Sequence, residues 1–467
     1  MGKLFGTDGI RSRAGRGIFE PDYLRKFARA LGYIFRKSPG MFSNPLPENF
    51  SGIRDFPGEK ICQGFVLIGR DTRESGSEIE EGLIDGFLTH NLPVATVGVI
   101  PTPGLAHLVR LWGASLGIMI SASHNPARDN GLKLISPEGM KVPDKVENDI
   151  EHIFFDKVFG TKLHRSDTVK ILPPRNLAEK SIAYTEHLIS RGGALSGLKI
   201  VIDCANGAAS EYAPKVLGDL GAEVIVLNDT PDGTNINEGC GAMHPQGLQK
   251  MVVQEGAHAG VAFDGDADRA IFVDETGKIR DGEYVLALSA LDMKKNNRLP
   301  DPRVVSTVMA NFGIEAFLNS NGIELLRTQV GDRYVSEKML EEGLLLGGEP
   351  SGHTIFFEDQ TTGDGLATAI RFLSLLSGGI PFSALCSPIQ KFPQVILNVR
   401  IQKRVPIEEL ATDAVAKAEK ELAGKGRVYL RYSGTESLLR IMVEGDDRAR
   451  VDKIAKAVAE ACHKELA

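Results

Sequence analysis

Apolar residues follow two grammars along this chain. Short continuous runs of aliphatic and β-branched residues alternate with longer stretches in which apolar positions recur every three or four residues. This alternation predicts buried, mostly parallel strands joined by amphipathic helices. Asp22 to Arg36 reads as a helix with Leu24, Phe27, Ala28, Leu31 and Ile34 on one face. From Phe65 the pattern gives the strand FVLIGRD, a helix from Ser77 to Leu88, the strand VATVGV, a helix entered through PTPGLAHLVRL, a buried strand from Gly117 to Ile120 and a return over Leu132 to Ile135. A second unit has strands at Lys199–Asp203, Glu223–Leu227 and Gly260–Phe263. A third, Arg280 to Leu376, has a helix starting at Val330–Val335 and a strand at Leu344–Leu346. Then the pattern changes: strand Val395–Val399, helix Ile407–Leu422, strands Val428–Tyr432 and Leu438–Glu444, helix Arg448–Glu465. The expectation is three successive α/β domains with mixed, mostly parallel sheets, followed by a C-terminal α+β domain. The boundaries fall at residues 1–170, 171–279, 280–380 and 381–467. Ser38–Lys60 has no period and reads as a surface insertion, and Ser377–Pro393 reads as a linker.

Composition narrows the class. At 467 residues the chain exceeds a single core, given roughly 100 to 200 residues per domain. With 42% hydrophobic and 25% charged residues and a formal charge of -7, it resembles an ordinary soluble protein, not a non-specific nucleic-acid binder. No run of about 18 apolar residues occurs, which argues against a membrane span. The start, MGKLFGTDGIRS, lacks the apolar core of a signal peptide, and Gly6 stands where a myristoylation motif wants Ser or Thr, so a cytoplasmic protein is expected. Cys62, Cys204, Cys240, Cys386 and Cys462 are too scattered for a thiolate metal site or a disulfide framework and read as buried thiols. Monomer and homodimer are both open.

Candidate chemistry sits where apolar runs break. After Ile120 comes Ser121-Ala122-Ser123-His124-Asn125-Pro126. Gly131 then allows a second turn, and Lys133 returns beside the loop. Ser123, His124 and Lys133 together suggest a nucleophile with proton-handling neighbours. FGTDGIR, Phe5 to Arg11, can approach a ligand through its backbone while Arg11 supplies donors for phosphate. Arg70-Asp71-Thr72-Arg73 also ends a strand, and Asp71 pairing with Arg73 is the preferred reading there. Beyond Phe263, Asp264, Asp266 and Asp268 place three carboxylates at alternate positions. Those repel unless a cation or an arginine neutralises them, and hard oxygen ligands select Mg²⁺ or Ca²⁺. A calcium loop fits poorly, although Glu275 falls at its twelfth position, because Arg269 holds the sixth, where glycine belongs, and Ile271-Phe272-Val273 is strand-like. Gly347 to His353 offers Glu349, Ser351 and His353, a set suited to sugar hydroxyls. Arg431, Ser433, Gly434, Thr435 and Arg440 make a hydroxyl-rich turn flanked by arginines, an anion nest.

The motifs S-A-S-H-N-P with N-G-x-K, D-G-D-x-D-R, G-E-x-S-G-H and R-x-S-G-T-E, in this order, resemble those of the alpha-D-phosphohexomutases. The opening F-G-T-D-G-I-R is similar to that of the branch acting on glucosamine phosphate. Pro350, where that branch often has Gln, and Ser437, where Pro is usual, depart from the pattern. The resemblance implies domains around a central cleft and a phosphoryl shuttle. Ser123 would carry a phosphoryl group, with Lys133, and also His124, moving protons. Asp264, Asp266 and Asp268 would bind one Mg²⁺ together with the phosphoserine, Arg269 balancing charge. Glu349 and Ser351 would touch the sugar, and the 431–440 turn would hold the non-reacting phosphate. A small hexose phosphate would pass through a sugar bisphosphate, the implied conversion being glucosamine 6-phosphate to glucosamine 1-phosphate. A glucose or mannose phosphomutase is the alternative, then a metal-dependent sugar phosphatase, then a non-enzymatic sugar-phosphate sensor.

Overall fold

The computed structural model describes residues 4–6, 8–37, 39–43, 64–90, 92–156, 177–432 and 437–466. They fall into two compact units, Met1–Val308 with Leu326–Cys386, and Met309–Leu325 with Ser387–Ala467.

The first unit carries three sheets. The first joins β1 (Ile10–Arg13), β2 (Val66–Arg70), β3 (Val94–Val99), β4 (Leu116–Ile120) and β5 (Asp129–Ile135) in the order β1-β5-β4-β2-β3. The second joins β6 (Lys199–Asp203), β7 (Glu223–Leu227), β8 (Ala259–Phe263), β9 (Ala270–Asp274) and β10 (Ile279–Arg280) as β10-β9-β8-β6-β7. The third joins β11 (Arg303–Thr307), β12 (Glu324–Thr328), β13 (Leu346–Gly348) and β14 (Thr354–Phe356) as β12-β11-β13-β14. Each has a parallel centre and an antiparallel hairpin: β2 runs parallel to β3 and β4 while β5 returns beside β4, β6 runs parallel to β7 and β8 while β9 returns beside β8, and β14 returns beside β13. At the centre of the first two sheets, β4 (LGIMI) and β8 (AGVAF) carry no polar side chain. All five residues of β4 and of β8 are buried. The helix Pro21–Lys37 buries Leu24, Phe27, Ala28, Leu31 and Ile34 against the first sheet, the stripe read from its period.

The second unit carries an antiparallel sheet of β15 (Gln394–Arg400), β16 (Gly426–Tyr432) and β17 (Leu438–Gly445), ordered β15-β17-β16. Leu439, Ile441 and Val443 of β17 meet Val451, Ile454, Ala455 and Val458 of the helix Arg448–Leu466 in one core.

Several sequence expectations need correcting. Ile10–Arg13, to which the sequence pattern assigns no element, is a strand, because β5 offers it an edge with Arg11 opposite Gly131. Gly131 makes no turn. It lies within β5, where a Cβ would come 2.3 Å from the Ser121 carbonyl oxygen and 2.8 Å from that of Ile10, so glycine is needed for close approach of two backbones. The third-sheet strand starts at Leu346, not Leu344, since Leu344 N–H still caps the preceding helix on the Met339 carbonyl at 2.8 Å after Gly343. The tail helix begins at Thr412, behind a separate turn Ile407–Glu409, because Ala411 takes a left-handed φ of 49°. Ser377–Pro393 is not linker throughout. Phe382–Cys386 is helical, and Phe382 packs its ring against Phe272 and Phe372. Of the Ser38–Lys60 insertion, Pro39–Phe42 forms a 3₁₀ turn with Phe42 buried beside Phe35. Ser38 and residues 44–60 lie outside the described residues. Cys204, Cys240, Cys386 and Cys462 are buried free thiols, and Cys62 lies outside that set. Among the described residues no helix is long and apolar enough to cross a membrane.

Candidate active site

Three loops that the sequence singles out share one topological position. Ser123 lies between β4 and β5, Asp264–Asp268 between β8 and β9, and Glu349–His353 between β13 and β14. In each case a parallel strand ends and the chain returns beside it, so the polar residues emerge at the carboxyl end of a central strand, where open α/β sheets bind ligands. In the second unit the fourth singled-out segment falls between β16 and β17, which pair antiparallel, and its residues 433–436 lie outside the described residues.

Ser123 is buried and takes a left-handed φ of 52°, a conformation that costs energy and persists only where its surroundings impose it. The surroundings here are explicit. Arg73, itself fully buried, pairs with Asp71 at 2.9 Å, as expected, and also donates to the carbonyls of Ser123 at 2.9 Å, Asn125 at 2.8 Å, Pro126 at 2.5 Å and Asp129 at 3.0 Å. Asn237 donates to the Ser123 carbonyl at 2.9 Å, and Ser123 N–H is fixed on Ser121 Oγ at 2.9 Å. Only the side chain is left to face the site. Ser123 Oγ donates to Asp264 Oδ2 at 2.6 Å and lies 3.3 Å from His124 Nδ1.

Asp264, Asp266 and Asp268 are all buried, with one oxygen from each lying within 4.8 Å of the others. At an effective dielectric near 20, each such pair of charges repels by roughly 3 to 4 kcal/mol. Lys133 offsets part of this, its Nζ reaching Asp266 Oδ2 and Asp268 Oδ2 at 2.8 Å each. Arg269 Nε stands 3.9 Å from Asp264 and 3.7 Å from Asp268. Two buried oxygens, Asp266 Oδ1 and Asp268 Oδ1, have no hydrogen-bond partner among the described residues. Three converging hard oxygen donors, two with free lone pairs, fit a small divalent cation.

The electrostatics follow from this crowding. Burial, and then repulsion by Asp268 and Asp266, pushes the Asp264 carboxyl well above its ordinary value. Burial acts the same way on Asp268, but Lys133 and His353 outweigh it and hold that carboxyl well below. Burial alone would lower Lys133; Asp266, Asp268 and Asp8 more than reverse this and keep it protonated. His353 Nδ1 lies 3.7 Å from Asp268 Oδ1, and against the effect of burial that neighbour carries it up to about 9. Burial, Arg269 and Arg11 bring His124 down to about 4, leaving a neutral imidazole beside Ser123.

Of the remaining candidates, Arg11 pairs with Asp8 and donates to Asn125 Oδ1 at 3.4 Å. Glu349 Oε1 accepts from Gly331 N–H at 3.1 Å, and Ser351 Oγ lies 3.5 Å from Glu349 Oε2. In the second unit Arg431 and Arg440 are directly opposed across β16 and β17. Ser433, Gly434 and Thr435 lie outside the described residues. Sequence reasoning missed Thr102, whose hydroxyl donates to Asp266 Oδ2 at 2.5 Å and whose N–H donates to the Asp266 carbonyl at 2.9 Å. It missed Asp8, Asn237 and the carbonyl-gathering role of Arg73 as well. Thr102 and Asn237 carry no local signal, since their roles arise only from folding. Asp8 stood inside the FGTDGIR motif.

Four domain families described as those of phosphoglucomutase/phosphomannomutase match in order: alpha/beta/alpha domain I over residues 58–160, domain II over 183–277, domain III over 281–392 and the C-terminal domain over 396–461. A phosphoglucosamine mutase from Symbiobacterium thermophilum is 43% identical, covering all of this chain and all of its own. Among solved structures, a phosphoglucomutase/phosphomannomutase family protein from Burkholderia thailandensis superposes with a TM-score of 0.77 at 24% identity, covering 98% of this chain and 96% of its own. The N-acetylphosphoglucosamine mutase of Aspergillus fumigatus, solved with GlcNAc-6P and magnesium, gives 0.63 at 17% identity over 99% and 96%.

Proposed function

Since the chain belongs to the phosphoglucomutase/phosphomannomutase family, we propose that it is the phosphotransferase-type isomerase that interconverts glucosamine 6-phosphate and glucosamine 1-phosphate. The observation that carries this reading is end-to-end identity of 43% with a relative named for that reaction, joined to a nucleophile-like serine bonded to one of three clustered carboxylates.

In this reading Ser123 carries the phosphoryl group. Its O–P bond breaks as a bond to the free sugar hydroxyl forms, giving a hexosamine bisphosphate. That hydroxyl's proton leaves to a base, and His124, neutral and 3.3 Å from Ser123 Oγ, is placed to take it. Lys133 is held protonated and serves as the acid. The bisphosphate then turns, and its other phosphoryl group returns to Ser123. Asp264, Asp266 and Asp268 would hold one Mg²⁺, which would supply positive charge to the transferring group. Glu349, Ser351 and His353 orient the ring, Arg269 and Arg11 balance phosphate charge, and the segment Arg431–Arg440 with Ser433, Gly434 and Thr435 grips the phosphate that is not reacting. The work divides over four domains, with phosphoserine in residues 1–170, cation in 171–279, sugar in 280–380 and second phosphate in 381–467, in a cytoplasmic enzyme.

The test is a side-by-side assay with glucosamine 6-phosphate, glucose 6-phosphate and mannose 6-phosphate. The highest kcat/KM is expected for the amino sugar. A higher value for glucose or mannose phosphate would move the chain to another branch, and release of inorganic phosphate without isomer would make it a phosphatase.

A further inference from the structure

A small cavity of about 30 Å³ opens beside the catalytic lysine, lined by Lys133, Asp268, Asp8, Thr102, Lys141 and Asp332. Asp332 is the first residue of the helix Asp332–Glu342, and its half-buried carboxylate has no hydrogen bond or ion pair among the described residues. The residue after it is held firmly. Arg333 is buried, pairs with Glu147 and Glu337 at 3.1 Å each and with Asp144, and donates to the Val142 carbonyl at 3.1 Å. The residue before it is held too, since Gly331 N–H donates to Glu349 Oε1. Asp332 thus lines the cavity between two anchored neighbours, close enough to act on both His353 and Glu349.

An acid at the start of a helix has a plain explanation in the helix dipole, worth about 0.3–1 kcal/mol. That explanation requires neither the cavity nor a carboxylate left without a partner. Glu349 already spends one oxygen on Gly331 and has Ser351 at the other, which suits it to accept from neutral ring hydroxyls. Asp332 has both oxygens to offer. A carboxylate gains about twice as much from a cationic donor as from a neutral one, so an unspent acid in this position separates an ammonium substituent from a hydroxyl. Resting on the reading of the site as a hexosamine-phosphate mutase, we propose that Asp332 is the specificity-determining residue that pairs with the 2-ammonium group of the sugar.

Asp332→Asn keeps the size and the helix start and removes the charge. Its kcat/KM for glucosamine 6-phosphate should fall about 10- to 100-fold, while that for glucose 6-phosphate changes less than about threefold. An equal fall for both sugars would reduce Asp332 to a structural part, and an unchanged preference in a variant that melts like wild type would also overturn the assignment. Should that variant fail to fold, competition between the two sugar phosphates on the wild-type enzyme over pH 6.5 to 9.5 decides. Preference should decline as the sugar amine loses its proton, and a flat ratio speaks against the pairing. A wild-type enzyme with no preference for the amino sugar would instead defeat the functional reading itself.

Discussion

Arg73 is tied to Ser123 through the backbone of the serine, not its hydroxyl: a guanidinium N–H donates to the Ser123 carbonyl at 2.9 Å, and the arginine is wholly buried. The same side chain gathers the carbonyls of Asn125, Pro126 and Asp129, so one residue just past β2, together with Asn237, fixes the turn in which Ser123 takes its left-handed φ. The hydroxyl is left to face Asp264. Orientation of the Ser123 hydroxyl, the proposed nucleophile, therefore rests on a side chain that, among the described residues, bonds only to the backbone of the serine's turn and to Asp71.

Arg73→Lys tests this, since it keeps the charge and loses the planar fork. Four carbonyls and Asp71 then compete for three donors on a flexible stem. Stability should fall by about 2–4 kcal/mol in urea unfolding, and kcat should fall with KM nearly unchanged. Wild-type stability in this variant would show that the turn holds itself.

Ser123→Ala addresses the nucleophile. Mutase turnover should fall at least about 10⁴-fold, and the variant should take up no label from a hexose bisphosphate labelled in phosphorus, while circular dichroism shows a folded protein. Label bound at undiminished level would assign the phosphoryl carrier elsewhere.

How much of this was legible depends on where each signal resides. The helix Pro21–Lys37 was readable because a 3.6-residue stripe is local, and the D-G-D-x-D-R loop because three carboxylates in five residues is a costly arrangement that demands a counter-charge. Gly131 is ambiguous in sequence because glycine serves turns and close approaches alike, and only the fold shows the Ser121 carbonyl 2.3 Å from where a Cβ would stand. Thr102 reaches Asp266 across 164 positions of sequence, and no pattern within one segment encodes that. The Gly and Pro around Phe382 mark a break and read as linker, while the rings of Phe272 and Phe372 that receive it lie far upstream or in another helix.

A cation at the three aspartates should be visible in stability as well as in rate. Bound there, Mg²⁺ would remove repulsion within the cluster and favour the folded chain, so at about 100 times its Kd it should add about 2.7 kcal/mol and raise Tm. Chelation should abolish turnover. Asp266→Asn should lose the Mg²⁺-dependent rise in Tm and most activity together. A melting temperature indifferent to Mg²⁺ would remove the cluster as a cation site.

The last prediction concerns acid. His107 and His187 stack with ring centroids 4.3 Å apart between the helices Thr102–Trp112 and Leu177–Arg191, and the Asp359 carbonyl lies 3.1 Å from His187 Nε2. Burial first, then Arg191 and Arg110, pushes His187 down to about 4, and burial with His187 and Arg110 pushes His107 well below its usual value. Both are neutral when folded and take a proton more readily when unfolded. Their contribution to stability is therefore complete above the unfolded value of about 6.5 and is lost as pH falls from there towards 4, by up to about 1.4 kcal/mol per pH unit for each ring. Urea midpoints should drop between pH 7.5 and pH 5.0. In His187→Gln, which keeps a donor for the Asp359 carbonyl and cannot be charged, the drop should shrink. An equal drop in the variant would place the acid sensitivity in other residues.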